Sequence, residues 1–472
     1  LDLPMALFLL ILTLSLFVTP SLYDGLIKYT VFVLGAVLFY LVSQFLRRYT
    51  YKIIISNLII SSGVIVSLFG FGKLVHGASA SSPAIMDGFF PNNSLFAAYI
   101  AVSFSFLFSR ILFENKPANY AVKLPALLIL IAAVAAADSK SGMLSLLFCA
   151  ASISAYYRFT REKVKDTPRR EFFKKYFFLS VIFLILILSF TPASQSGKKV
   201  LSVQSDTFLM NRLDIYKASL KMASDKPITG HGIASYGSVF PSYNFPVEGT
   251  GRYRMNTRFA HNDILQAAAE TGFPGLAVLL FFIFRLFRNF PRPGGERKSW
   301  SASAGAYFAL GGLLVHSFFY FTFHLPGILF TAAVLAAMIT EEKSAIKTIP
   351  RHALFFTKIY YFPALIVSFI LFSSLIRPGL GSYFFNGYKD TGKTSLLESA
   401  IKTEPLNPRF YFEKGRLFFD NRLYSRAASE FETAVSLDRL NYIYTLNAAR
   451  AYACLLYTSP SPRDRTRSRM PS

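Results

Sequence analysis

Long apolar blocks constrain the fold of this sequence more than any other feature. They fall near residues 3–18, 26–46, 53–71, 94–113, 120–137, 142–157, 176–191, 274–290, 302–322, 325–340 and 358–376. A transmembrane helix needs about 17–25 such residues, so the blocks predict an all-α, polytopic transmembrane bundle with about eleven spans. Hydrophobic residues make up 53% of the 472 residues, a share that soluble globular chains rarely reach.

Lysine and arginine cluster in alternate short loops between these blocks. The clusters lie near 47–52, 110–123, 158–175, 285–298 and 343–358. Because short basic loops face the cytoplasm, we expect the opposite ends of the spans to lie outside it. The loop at 192–273, the turn between His316 and His324, and everything after Arg377 are then external. The formal charge of +24 is therefore not diffuse, and we do not expect nucleic-acid binding.

The composition divides the chain into three regions. We assign residues 1–376 to a transmembrane domain with an external catalytic loop at 192–273, and residues 377–454 to a soluble region of helical repeats. The chain begins inside an apolar run without an initiator Met, which predicts further spans upstream. Residues 455–472 shift abruptly to Ser, Pro and Arg and resemble translated adapter sequence, so we assign them to a non-native tail.

The region after the last span repeats with a period of 34 residues. Leu397 and Ala400 recur as Phe431 and Ala434, and Gly415 lies between them. This spacing is typical of tetratricopeptide repeats, which are stacked helical pairs. We therefore expect periplasmic repeats that offer a binding surface for a protein partner.

Two segments of the external loop have readable local structure. Residues 206–224 have apolar side chains at helical spacing and predict an amphipathic helix that contains Arg212. Asp225-Lys-Pro227 ends this helix, and Thr229-Gly-His-Gly232 predicts a tight turn. A long external loop with such features is more often functional than a simple linker.

The loop ends at His261, immediately before the next helix. Asn262 is a suitable N-cap, Asp263 suits the first turn, and Gly272 with Pro274 predicts a break where the apolar block begins. His261 therefore lies at the positive end of a helix dipole, where N–H groups readily bind phosphate oxygens. A lone histidine in a loop is most often structural, but its position favours an active site for a pyrophosphate-linked lipid.

Several motifs together resemble those of the bacterial O-antigen ligase and O-antigen polymerase superfamily. They are His261-Asn262 followed after nine residues by Gly272-x-x-Gly275, Arg212 with Tyr216, the segment Asp225–Gly232, and the Asn-rich segment Phe90–Tyr99. Together they cover roughly residues 85–280 and are specific in combination.

The resemblance implies a glycosyltransferase that uses an undecaprenyl-diphosphate-linked glycan in the periplasm. It implies a metal-independent, inverting transfer without a cofactor, by a multi-pass protein of the bacterial inner membrane. The acceptor would be a lipid A–core sugar, another glycan repeat unit or a protein hydroxyl. Two family arginines engage the diphosphate: one corresponds to Arg212, and Lys140 occupies the position of the other. Lysine keeps the charge but lacks the bidentate fork of arginine.

The chemistry of the residues supports these roles. A diphosphate leaving group gains charge as the glycosidic bond breaks, so Arg212, Lys140 and the helix that starts after Asn262 would stabilise the transition state. His261 is the candidate base for the acceptor hydroxyl, or else it binds phosphate or orients the acceptor. Arg258 is a further candidate for binding the diphosphate. We predict no metal site.

Two other readings differ from a ligase or polymerase. One is a protein O-oligosaccharyltransferase of the same superfamily, because acceptor choice lies in loops without a readable code. The other is a transporter or flippase for lipid-linked glycans, which would also be basic and multi-spanning. Transporters tend to show internal repeats and broken helices at mid-membrane, and this sequence shows no such self-similarity.

Overall fold

The computed structural model describes residues 2–46, 49–77, 86–114, 120–164, 204–243, 257–293, 297–340, 369 and 376–458. The first six helices of the membrane part are α1 (Asp2–Ser15), α2 (Leu22–Phe45), α3 (Tyr49–Gly77), α4 (Asn93–Phe113), α5 (Tyr120–Ala136) and α6 (Lys140–Val164). The long loop that follows contains α7 (Gln204–Asp225) and α8 (Tyr236–Val239). The membrane part continues with α9 (Asp263–Phe287), α10 (Arg297–Ser317) and α11 (Pro326–Ile339). Residues 376–391 are helical, and α12 (Thr394–Thr403), α13 (Pro408–Asp420), α14 (Tyr424–Leu437) and α15 (Tyr442–Thr458) follow. The described residues contain no strand.

Among the residues that the structure describes, four helices are long and apolar enough to cross a membrane, namely α2, α3, α4 and α9. The helices α1, α5 and α11 are apolar but shorter. Nine of the predicted blocks coincide with helices, whereas 176–191 and nearly all of 358–376 lie outside the described residues. The all-helical class and an integral membrane protein are therefore confirmed, and the total of eleven spans stays a prediction.

Helix α4 forms the centre of the bundle, packed against α3, α5, α6 and α10. Phe96, Phe104 and Phe108 on this helix are fully buried. Small residues allow its neighbours to approach closely. A methyl group added at Gly305 of α10 would lie only 2.9 Å from the Phe106 ring, which is too close, so the approach requires a glycine. Ser105 Oγ also donates to the Gly305 carbonyl at 2.8 Å, so hydrogen bonds join the helices inside the bundle.

Every second connection between successive helices lies at the same end of the bundle. Thr19 Oγ1, between α1 and α2, donates to the Ile233 carbonyl of the long loop at 2.8 Å. The Asn93 side chain at the start of α4 donates to the Ala137 carbonyl after α5, also at 2.8 Å. This grouping agrees with the alternation of the basic loops. We call this end the site end, and its periplasmic orientation stays a proposal.

The amphipathic helix predicted at 206–224 is present as α7, and the turn that follows it lies against a break in α9. Gly272 is non-helical, with φ of 69° and ψ of −178°, which confirms the break predicted there. The Phe273 N–H donates to the Pro227 carbonyl at 2.8 Å, and the Gly232 N–H donates to the Glu270 carbonyl at 2.9 Å. The loop turn and the helix break therefore form one backbone-to-backbone contact.

The C-terminal helices α12–α15 contact the site end of the bundle. The Tyr23 hydroxyl donates to Glu404 Oε1 at 2.9 Å, and the Ser238 hydroxyl of the loop donates to Asp438 Oδ2 at 3.2 Å. Helix α15 ends at Thr458, four residues beyond the boundary drawn at 454. The domain boundaries and the tetratricopeptide assignment stay predictions.

Candidate functional site

The backbone at His261 is held in an uncommon conformation where the loop becomes helix α9. Its φ is +52°, a left-handed value that non-glycine residues seldom adopt and that occurs often at functional sites. The next residue, Asn262, is extended and caps α9, because its side-chain oxygen accepts from the Ile264 and Leu265 N–H groups at 3.0 and 3.1 Å. The predicted N-cap is confirmed. The Asn262 side-chain oxygen accepts hydrogen bonds from the helix and does not point to a ligand.

The His261 imidazole lies among aromatic side chains, and one of its ring nitrogens is buried. Its ring meets Tyr320 and Phe321 edge-to-face, with centroid distances of 5.6 and 5.5 Å. The Tyr216 hydroxyl contacts the His261 carbonyl oxygen at 3.2 Å. The Nδ1 atom is buried and has no hydrogen-bond partner among the described residues. Because buried polar atoms are normally paired, an orphaned one marks a place for a missing partner.

Arg212 lies one helical turn before Tyr216 on α7 and is close enough to act electrostatically on His261. Burial, together with the Arg212 guanidinium, lowers the pKa of His261 to about 4, so the imidazole is neutral at pH 7. Burial also lowers the pKa of Arg212 from its ordinary value. The structure therefore brings together the predicted base and one predicted diphosphate ligand.

Lys140 is the exposed first residue of α6 and lies at the same end of the bundle. Its neighbour Ser141 contacts His316 Nε2 at 3.0 Å, and the His316 ring lies 5.7 Å from Tyr320. The start of α6 is thus connected to His261 through two intervening side chains.

Arg258 occupies a different side of this region. It is exposed, packs beside Gly237, and its electrostatic neighbour on α2 is Asp24. Its role in binding the diphosphate stays a prediction. Arg252 and Arg254, which precede it in the loop, lie outside the described residues.

A buried polar network beside His261 was not predicted from the sequence. It consists of Lys28 on α2, Asp263 and Glu270 on α9, and His324 in the turn between α10 and α11. Lys28 had a visible signal, because a single charge inside an apolar block is costly and usually functional. The sequence gives no signal that Glu270 and His324 are its partners, since they lie 242 and 296 residues away from Lys28.

An apolar cavity of about 200 Å³ extends from this network into the bundle. Helices α1, α2, α9, α10 and α11 supply its walls, and the four charged or imidazole side chains of the network lie along its lining. Among its apolar lining residues are Phe8, Phe32 and Phe282. A cavity that is apolar except at one polar end suits an amphiphilic ligand.

These features define an integral membrane protein with a cationic, histidine-containing site at one end of a helical bundle. Residues 125–280 match the family model described as O-Antigen ligase. The matched range contains Lys140, Arg212, His261 and the Gly272–Gly275 motif. The match supports the resemblance to the O-antigen ligase superfamily and a glycosyltransferase type of enzyme. No curated protein matches the chain.

Proposed function

We propose that this protein transfers a glycan from a polyprenyl-diphosphate donor, of the undecaprenyl type, to a hydroxyl acceptor. The observation on which the proposal depends is the buried His261 Nδ1 beside Arg212, which no described residue hydrogen-bonds, inside the range that matches the O-antigen ligase family. The site end of the bundle would face the periplasm of a bacterial inner membrane, in line with the alternation of basic loops.

The proposed reaction replaces one bond to the anomeric carbon by another. The acceptor oxygen attacks that carbon from the face opposite the diphosphate, and its proton passes to His261 Nδ1. The bond between the anomeric carbon and the diphosphate oxygen breaks, which inverts the configuration. His261 suits the role because a neutral imidazole accepts a proton, and the atom that would accept it has no partner in the part of the chain that the structure describes.

The leaving diphosphate needs positive charge that is already in place. Arg212 lies beside His261, and Lys140 starts a helix whose second residue contacts His316, which lies next to Tyr320 of the aromatic cluster around His261. Both would stabilise the charge that develops as the bond breaks, which is why a metal is not required in this mechanism. Asn262 would contribute through the helix it caps, because the positive end of the helix dipole favours an anion.

The cavity would take the beginning of the donor's isoprenoid chain. Asp263 and His324 line the cavity and are joined to the His261 region through Phe259, whose ring lies 5.0 Å from His324 and 4.2 Å from Phe321. An amphiphilic donor would then place its diphosphate at the cations and its chain among apolar side chains.

The identity of the acceptor stays open: it is a lipid A–core sugar, a growing glycan or a protein hydroxyl. The C-terminal helices would recruit an acceptor protein or an assembly partner as tetratricopeptide-type repeats do. A flippase for the same lipid-linked glycans is the alternative from another class, and it would need no base at His261.

The test is reconstitution of the protein in liposomes with a lipid-linked glycan and competing acceptors, followed by identification of the product. We expect transfer to fall by about 10²–10³-fold in both His261→Gln and Arg212→Met, since each removes one transition-state contact. Lys217→Met is the matched control, because Lys217 is exposed on the same helix as Arg212.

The outcomes separate the candidate functions. Full transfer by folded His261→Gln and Arg212→Met proteins would refute the assignment of the site. Movement of the lipid-linked glycan between leaflets without a new glycosidic bond would favour the flippase. Loss of transfer in Lys217→Met as well would mean that positive charge on α7 acts in general rather than at Arg212.

A further inference from the structure

A continuous chain of hydrogen bonds crosses the buried network. Lys28 Nζ donates to Glu270 Oε2 at 2.7 Å and lies 2.8 Å from His324 Nε2. Because an ammonium group only donates, His324 Nε2 accepts, and the ring proton is on Nδ1. That proton points to Asp263 Oδ1, 3.0 Å away. The partners on both sides therefore fix the tautomer of His324.

The two carboxylates extend the network to other parts of the molecule. Glu270 accepts from Gln266 Nε2 at 2.8 Å and from the Ala234 N–H at 3.1 Å. Asp263 Oδ2 accepts from the Phe323 N–H at 3.1 Å. The network thus joins helix α2, the glycine-containing turn of the long loop, helix α9 and the turn between α10 and α11.

Two routes connect this network to the imidazole of His261. Along the chain, Asp263 is two residues after His261 and forms the first turn of the helix that Asn262 caps. Through space, the His324 ring contacts Phe259, Phe259 stacks on Phe321, and Phe321 contacts the His261 ring. Neither route requires the network to touch the reacting atoms.

Packing alone does not explain why charges occupy this place. The side chains of Glu270 and Asp263 are at most 10% exposed, and the cavity beside them is apolar. Apolar side chains of similar size would often give equal or greater stability than a buried ion pair. A fully satisfied buried network, in contrast, selects one arrangement of the elements that it joins.

We propose that Lys28, Glu270 and His324 are positioning residues for His261. They hold the start of α9 and the aromatic turn at Tyr320 and Phe321 in the one arrangement that keeps the imidazole buried beside Arg212. The inference rests on the proposed function for its effect on turnover, but its effect on the environment of His261 is independent of any reaction.

The first experiment measures that environment without a substrate. Diethyl pyrocarbonate modifies accessible neutral imidazoles, and mass spectrometry of the purified full chain gives the rate at each histidine. We expect His261 to react roughly ten-fold faster in Lys28→Met than in the wild type, because its surroundings open more often. Lys28→Arg keeps a cation at the site and should restore a slow rate. Lys414→Met is the control, since it breaks an ion pair of 2.9 Å to Glu430 in the C-terminal helices.

The second experiment measures turnover of a lipid-linked glycan by the same variants. We expect Lys28→Met to lower kcat by roughly a hundred-fold through misplacement of the base, with KM for the donor changed by less than about two-fold. A double variant with Glu270→Gln should be less impaired than the product of the two single effects, because it leaves no unpaired buried carboxylate. If Lys28→Met does not fold, Glu270→Gln replaces it in both experiments.

The outcomes are distinguishable. An unchanged rate of His261 modification in folded Lys28→Met and Glu270→Gln would overturn the inference. Faster modification together with a complete absence of transfer in the wild type would support the positioning role while refuting the proposed function. A loss of kcat that tracks only the folded fraction at the assay temperature would show that the network is purely structural, and would also overturn the inference.

Discussion

A methyl group added at Gly230 tests the contact between the loop turn and the break in α9. The φ of Gly230 is +63°, and a Cβ there would lie 2.4 Å from the carbonyl carbon and oxygen of Glu270. Left-handed φ costs about 1–2 kcal/mol for a residue with a Cβ, and added volume in a close-packed contact costs about 1–3 kcal/mol. Backbone atoms cannot rotate away, so we expect Gly230→Ala to lower the free energy of unfolding by about 2–5 kcal/mol.

Two other glycines separate the contributions of strain and clash. Gly392 has φ of +70° with nothing within 4 Å of an added Cβ, so Gly392→Ala should cost only the strain, about 1–2 kcal/mol. Gly379 lies in a helix, and its added Cβ also meets nothing within 4 Å. Gly379→Ala should therefore be neutral or stabilising by about 0.5–1 kcal/mol.

The assay is thermal unfolding of the three purified variants in detergent, with hydrogen exchange followed by mass spectrometry. Gly230→Ala should unfold at the lowest temperature, and faster exchange should appear in 227–232 and 269–273. The close contact would be refuted if Gly230→Ala unfolded at the same temperature as Gly392→Ala and exchange in both segments matched the wild type.

Three further predictions concern the cap, the histidine and the C-terminal helices. Asn262→Ala should destabilise the protein by about 1 kcal/mol by removing the cap of α9, whereas Asn262→Asp should not, as measured by thermal unfolding. Because the pKa of His261 is lowered to about 4, the unfolded chain binds more protons between pH 4 and 6.5. Stability should therefore fall by about 2–3 kcal/mol as the pH drops through that window, and His261→Gln should lack this component in unfolding scans. Tyr23→Phe removes the hydrogen bond to Glu404 and should speed limited proteolysis at the boundary of the C-terminal helices.

Local features of the site could be predicted because short-range rules determine them. The helix at 206–224, the cap at Asn262 and the break at Gly272 follow from apolar spacing, capping chemistry and glycine in a left-handed conformation. The sequence explains only part of the need for glycine in the turn. It shows Gly230 and Gly232 as turn formers, but not that Gly232 packs against the Thr19 backbone between α1 and α2.

The network around Lys28 could not be predicted, because its partners are distant in sequence. Helical periodicity indicates which face of α2 Lys28 occupies, but not which element will cover that face. In the sequence, His324 is an isolated histidine, and Glu270 is the last charged residue before the break at Gly272. Only the packing of α2 against α11, with α9 close enough for the hydrogen bond from Lys28 to Glu270, brings these side chains to one place.

The low pKa of His261 has a consequence for the reaction itself. An imidazole whose pKa is about 4 is neutral but is a weak base. In the proposed reaction the donor would bring negative charge next to it, and a unit charge about 5 Å away contributes about 3 kcal/mol at an effective dielectric constant of about 20. Because an anion stabilises the imidazolium, the donor would raise the pKa of His261 by about 2. The base would thus become strong enough only when the diphosphate is in place.

This reasoning predicts different pH profiles for the two kinetic constants. The profile of kcat/KM reports the free enzyme and that of kcat reports the donor complex. On acidification we therefore expect kcat to fall first, near pH 6, while kcat/KM falls only near the lower pKa of the free enzyme. Steady-state kinetics between pH 4 and 8 would measure both. If the acid limbs coincide, or if His261→Gln keeps the same two limbs, then the donor does not control the basicity of His261.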